Sequence, residues 1–186
     1  MNKISEPERF RAFLIDKLPE PLTPASSHLQ LTDRYIADTA IRLRSIRDPQ
    51  SKAVNYSMQK KTIVRTDSGS YSRSEEMHLT DNEYATFARF MGRELRKNRY
   101  FHEFDRRLLT FDIYLGELSG LGIVRVDLTD NTDFEQFEPP PFAVFEVSED
   151  PFFDSDKLAG NTFPQVKAEV ERIGHEWPAE NPYQDE

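Results

Sequence analysis

The stretch Gly120-Leu121-Gly122-Ile123-Val124-Arg125-Val126-Asp127-Leu128 alternates with period two, the repeat of a β-strand. Ile123, Arg125 and Asp127 share one face, and Val124, Val126 and Leu128 share the other. A buried strand that carries an arginine and an aspartate on one face needs a polar interior or a ligand, because unpaired charges are costly to bury. Three more segments have the same habit. Ile41-Arg42-Leu43-Arg44-Ser45-Ile46 alternates arginine with aliphatics, Thr110-Phe111-Asp112-Ile113-Tyr114 sets Asp112 opposite Phe111 and Ile113, and Val144-Phe145-Glu146-Val147-Ser148 sets Glu146 opposite Phe145 and Val147. Together they predict a sheet curled around a charged cavity. Arg42, Arg44, Asp112, Asp127 and Glu146 are expected to point in, and Phe111, Phe145, Val126 and Val147 to point out into packing.

The 186 residues suit one domain, read as 1–175, followed by an acidic tail at 176–186 with two prolines. Hydrophobic content of 37% is low, but 14 Phe and 7 Tyr supply the apolar area for a core. No run of about 18 apolar residues suggests a membrane span. The start Met1-Asn2-Lys3-Ile4-Ser5-Glu6 turns polar at once, unlike a secretory leader. The absence of cysteine excludes disulfides, thiolate metal sites and a cysteine nucleophile, and agrees with a cytoplasmic location. Net charge is −9, unevenly spread: residues 1–115 hold 20 basic and 16 acidic residues, and residues 116–186 hold 4 and 17. That balance argues against a nonspecific nucleic-acid binder.

Turn signals at Lys17-Leu18-Pro19-Glu20-Pro21, Arg47-Asp48-Pro49 and Asp67-Ser68-Gly69-Ser70 separate strand-like runs at 29–46, 54–65 and 71–79, the first with a turn near Ala37-Asp38. Thr80 with Glu83 reads as a capping box opening a helix to about Asn98, with Tyr84, Phe87, Ala88, Met91 and Leu95 as its apolar stripe. Strands are expected at 108–114 and 122–128, and at 142–148 after the bend Glu138-Pro139-Pro140-Pro141. A short helix is expected at 164–173, with Val166, Val170 and Ile173 on one face. The chain has no His-Glu-x-x-His, calcium loop, phosphate loop, dinucleotide fingerprint or serine nucleophile elbow. Bland readings stand beside the functional one. Arg42 and Arg44 also suit an exposed strand face, Asp112 and Glu146 suit internal partners for those arginines, and Lys60, Lys61 and His78 suit solvent.

The order of segments resembles the CYTH family, the triphosphate tunnel metalloenzymes, over roughly residues 8–160. The resemblance rests on Asp33-Arg34-Tyr35-Ile36 with Ile41-Arg42-Leu43-Arg44, then Lys97-Asn98-Arg99-Tyr100, then Phe111-Asp112-Ile113-Tyr114-Leu115-Gly116-Glu117-Leu118-Ser119-Gly120-Leu121. It continues in Phe145-Glu146-Val147-Ser148 followed by Lys157-Leu158-Ala159. It implies an α+β fold: an antiparallel, eight-stranded, tunnel-like β-barrel with helices packed outside. It also implies Arg42, Arg44, Lys61, Lys97 and Arg99 on phosphate, with Glu8, Glu76, Asp112, Asp127 and Glu146 as ligands of Mg2+ or Mn2+. Glu8 and Glu146 would be the catalytic acids.

The chain departs from the family pattern. At the family's Glu-x-Glu-x-Lys it has Glu8, Phe10 and Ala12, and Glu6 restores the acid pair only if the strand slips by two residues. Phe10, Phe13 and Leu14 also have helical spacing. A family Glu-x-Glu is replaced by Arg125-x-Asp127, which adds a phosphate-binding cation and weakens a metal site. The resemblance therefore implies a tunnel that binds, and at most slowly hydrolyses, a small polyphosphate or nucleotide such as inorganic triphosphate. The alternatives are an inactive phosphoanion-binding module and an adenylate cyclase-like activity. Three or more acids converging on one point favour metal catalysis; one or two beside several cations favour binding.

Overall fold

A computed structural model of the chain describes residues 9–66, 69–128 and 136–177, and for 9 and 61–73 the backbone alone. Nine strands form one antiparallel sheet: β1 (Arg9–Ile15), β2 (His28–Ile36), β3 (Ile41–Arg47), β4 (Val54–Thr66), β5 (Gly69–Leu79), β6 (Gly92–Phe104), β7 (Arg107–Leu115), β8 (Gly122–Leu128) and β9 (Phe145–Glu146). Their order is β5-β4-β3-β2-β6-β7-β8-β1-β9. The strand alternative for the N-terminus is the one found: β1 pairs β8 in the register Phe10↔Asp127, Ala12↔Arg125.

The expected closed barrel of eight strands is not formed. The sheet is open, with β5 and β9 at its two edges. Closure requires an edge with enough free backbone groups to pair. β9 offers two residues, hemmed between the Pro139-Pro140-Pro141 bend and Pro151. The strand expected at 142–148 is correspondingly short, although Val144 and Val147 still donate backbone hydrogen bonds to Leu14 and Ala12.

The helix expected from Thr80 to Asn98 is α1 (Asp81–Phe87) only. Its capping box is present, with Thr80 Oγ1 accepting from the Glu83 amide and Glu83 accepting from the Thr80 amide. From Gly92 the chain becomes β6, paired with β2 and β7 along its length. Two ladders of backbone hydrogen bonds outweigh a weak local helical preference. The helical stripe therefore splits. Leu95 is buried as a strand residue, while Met91 is 82% exposed.

Opposite faces of the sheet carry two apolar clusters. Phe13, Ile15, Tyr100, Leu109, Phe111, Ile113, Val124 and Val126 pack on one, closed by Leu18, Leu22, Phe137 and Phe142 from loops. Leu14, Leu95, Leu121, Ile123 and Val147 pack on the other with the C-terminal helices, α2 (Ser155–Leu158) and α3 (Phe163–Arg172). α3 is the helix expected at 164–173, and Val166 and Val170 are its buried stripe. Trp177 packs edge-on against Phe163 with ring centroids 5.0 Å apart. No described helix is long and apolar enough to cross a membrane.

Gly120 joins the two layers. Its φ of +110° is open to glycine alone, and a Cβ there would lie 2.6 Å from Phe163 Cε1. Gly120→Ala is expected to lower stability by about 2 kcal/mol or more through strain and overpacking. An unchanged urea midpoint would contradict this contact.

Candidate functional site

The face that carries α2 and α3 also carries the charged residues, around a cavity of about 500 Å³. Its basic wall comes from β3 and β6: Arg42 and Arg44, and Lys97 and Arg99. Strand parity puts them there, because residues two apart on a strand point the same way. Facing groups include Gln59 of β4, Glu76 of β5, Tyr114 of β7, and Arg125 and Asp127 of β8.

Two carboxylates set the basic wall. Asp33 of β2 is fully buried. It accepts from Arg44 Nε and Nη2 at 2.6 Å each, while Arg42 Nη1 stands 3.5 Å away. Asp112 of β7 accepts from Lys97 Nζ at 2.6 Å and from Arg99 Nε and Nη2 at 2.7 Å each. Burial alone would raise both carboxyls. The charge and hydrogen bonds of Arg44 hold Asp33 below the ordinary carboxylate range, and those of Lys97 and Arg99 hold Asp112 at about 2. Burial lowers the Lys97 ammonium, helped by the Arg99 charge and opposed by Asp112.

The guanidiniums are held from one side. Arg44 and Arg99 each give Nε and Nη2 to a carboxylate, and among the described residues Nη1 of each makes no hydrogen bond. Arg42 donates to Gln59 Oε1 and, at 3.4 Å, to Tyr35 Oη. Four cations over two acids leave the wall with an excess of two positive charges.

Arg125 belongs to the opposite wall. Its guanidinium lies 4.0 Å over the centroid of the Phe10 ring and 2.8 Å from Asp127. Two of the three residues noted as departing from the family pattern, Phe10 and Arg125, therefore stack on each other inside the cavity.

Of the residues singled out in the sequence, Arg42, Arg44, Glu76, Lys97, Arg99, Asp112, Arg125 and Asp127 line this cavity. Glu146 does not point into it. β9 pairs β1 with Phe13↔Glu146, which fixes Glu146 on the face of Phe13, and there it meets Arg11 at 2.8 Å and Ser148 Oγ at 2.6 Å. Phe145 and Val147, expected outside, pack with the cavity-side cluster, while Phe111 and Val126 face away as expected. Glu8 and the Lys61 side chain lie outside the described residues. Sequence reasoning gave no role to Asp33: its neighbours Thr32 and Arg34 are polar, so the alternation that revealed Asp112 between Phe111 and Ile113 is missing there.

Among the described residues, the carboxylates expected to hold the divalent cation implied by the family resemblance do not form a ready site for it. Asp112 already accepts from three charged nitrogens, Asp127 is held by Arg125, and Glu146 is on the other face. Among the described residues no group of three or more His, Asp or Glu could hold a metal ion. Glu76 is drawn below its ordinary value despite partial burial, by hydrogen bonds from Ser57 and Gln59 and the charge of Arg44.

Comparison with solved structures places the fold. The chain matches "the inorganic triphosphatase NE1496" with a TM-score of 0.58 and 22% identity, over 83% of this chain and 95% of that one. A second structure, described as the hypothetical protein NE1496, matches with a TM-score of 0.58 and 23% identity, over 83% and 99%. The likeness supports a CYTH-like fold. No family model matches the chain, and no curated protein matches it in sequence.

The carboxylates give the site a defined acid limit. Asp33 and Asp112 have folded pKa values below the unfolded value of about 3.9, so the unfolded chain binds more protons as pH falls. Their stabilisation is complete above about pH 5 and is lost progressively toward about pH 2. Urea unfolding across that range is expected to show the loss, with a shallower fall in Asp112→Asn than in the wild type.

Proposed function

We infer that this protein binds triphosphate-containing small molecules, inorganic triphosphate or a nucleoside triphosphate, in the cavity. The observation that carries the reading is the basic wall: Arg42, Arg44, Lys97 and Arg99 converge from adjoining parts of one sheet, and their supporting acids leave it two positive charges in excess. Oligophosphates are matched by such groups, since guanidinium edges bind phosphate oxygens bidentately and an ammonium adds a point charge. Arg44 and Arg99 are gripped from behind by carboxylates, so they are oriented before the ligand arrives, which reduces the ordering cost of binding.

Hydrolysis is the second reading, favoured by the fold likeness to an inorganic triphosphatase. Binding is preferred because Phe10 and Ala12 take the places of an acid and a lysine of the family pattern, and Arg125 that of another acid. The protein is proposed to work in the cytoplasm on a small-molecule ligand, without nucleic acid or membrane as partner.

Two variants test the wall without emptying it. Arg44→Ala would leave Asp33 buried and short of its main partner, so a folding defect would obscure the result. Arg42 touches Asp33 only at 3.5 Å, and Asp112 keeps Lys97 when Arg99 is removed. Arg42→Ala and Arg99→Ala are each expected to weaken tripolyphosphate binding by about 1.5–3 kcal/mol, the range for hydrogen bonds to charged groups. Calorimetric titration checks this, and unchanged affinity in both variants would place the ligand elsewhere. Phosphate release from tripolyphosphate is expected to be slow, and rapid turnover would favour the hydrolase.

A further inference from the structure

We propose that the cavity takes its oligophosphate as the metal-free anion, and that divalent cations compete with the protein for the ligand rather than bridge the two. The proposal rests on the phosphoanion reading above and concerns what neutralises the ligand.

The carboxylates divide by what already holds them. Asp33, buried under the basic wall, and Asp112, in the wall itself, have their oxygens facing guanidinium and ammonium nitrogens at 2.6–2.7 Å. A divalent cation could bind Asp112 only by displacing Lys97 and Arg99. Lys97 is 3% exposed and would then be a buried ammonium without its counter-ion. Asp127 is paired with Arg125, whose guanidinium is pinned over Phe10 and repels a cation approaching that carboxylate. Glu146 is turned to the far face by the register of β9 with β1. Asp150 and Asp154 also line the cavity, and Asp150 Oδ1 accepts from the Phe152 amide. Mg2+ is held by one or two carboxylates with waters and phosphate oxygens, and among the described residues no three acids converge on one point to fix such a cation beside the wall.

The nitrogens have the opposite character. Arg44 and Arg99 keep Nη1 without a described hydrogen-bond partner, and Arg42 adds a third guanidinium on the same wall. Phosphate oxygens that would coordinate Mg2+ in solution are the oxygens these donors need. A chelated triphosphate reaches the wall with less charge and with part of its oxygens already taken. The exposed acids Glu76 and Asp127 then act as repulsive neighbours of the ligand, limiting its affinity rather than anchoring it.

Calorimetric titration of the whole protein with sodium tripolyphosphate, once with EDTA and once with Mg2+ in excess over ligand, separates the cases. Binding is expected in EDTA, and Mg2+ is expected to weaken it by about threefold or more. Glu76→Gln and Asp127→Asn are each expected to tighten it by about two- to fivefold at low salt. Binding that tightens about tenfold or more with Mg2+, or a Mg2+ titration weakened by either substitution, overturns the proposal and leaves the phosphoanion reading standing. No saturable binding in either buffer overturns both.

Discussion

The pairing of a buried carboxylate with cations on a neighbouring strand is the interaction on which the rest depends. Asp33 lies directly opposite Arg44 in the β2–β3 ladder, and Asp112 lies directly opposite Arg99 in the β6–β7 ladder. A slip of one residue in either ladder would move the cations to the apolar face and leave an aspartate buried alone. The charged face therefore specifies register more sharply than its aliphatic neighbours could, since leucine tolerates another leucine shifted by two. The same pairs decide where the donors of the basic wall point. Here register and binding geometry are one constraint.

Period-two alternation made most of this legible. With the turn signals that separate β2 to β5, it located β3, β7 and β8, and it set Arg42, Arg44, Asp112 and Asp127 on one face, where the cavity is. It failed for Glu146 because alternation separates two faces without saying which is inside. Only the pairing Phe13↔Glu146 decides that, and it is a contact between segments more than 130 residues apart. It failed between residues 88 and 98 for another reason. Tyr84, Phe87, Met91 and Leu95 satisfy a helical period, while Leu95, Lys97 and Arg99 satisfy a strand period from the next turn onward. Both patterns run through Leu95, and the choice is made by β2 and β7 on either side. The open sheet was hidden because closure depends on how much of the 142–148 segment can pair, and prolines before and after it limit that.

Phe10 and Arg125 are coupled through strand register. Phe10 pairs Asp127 and Ala12 pairs Arg125 in the β1–β8 ladder, so the aromatic ring and the guanidinium are diagonal neighbours on one face. Each stabilises the other: the ring supplies a face for the cation, and the cation covers an aromatic that would otherwise be wet. Arg125 next to Asp127 then cancels a carboxylate without removing it. The Arg125–Asp127 pair is neutral in sum, and it shares the cavity with Glu76, Asp150 and Asp154, so the excess of positive charge is confined to the wall of β3 and β6.

On the proposed phosphoanion reading, that asymmetry also bounds the affinity of the cavity. A wall with two excess charges attracts an oligophosphate of about four negative charges without neutralising it. The remaining charge of such a ligand would stay partly hydrated, beside the exposed acids Glu76 and Asp127. The supporting aspartates make the cations rigid and keep the sheet folded, but each also subtracts one charge from the wall. Replacing them with neutral residues would raise the wall's charge and lose the orientation of Arg44 and Arg99 together. Orientation and charge are therefore in opposition here. Asp33 is fully buried and Asp112, at the cavity wall, nearly so, and the oxygens of each are turned to the nitrogens that they orient.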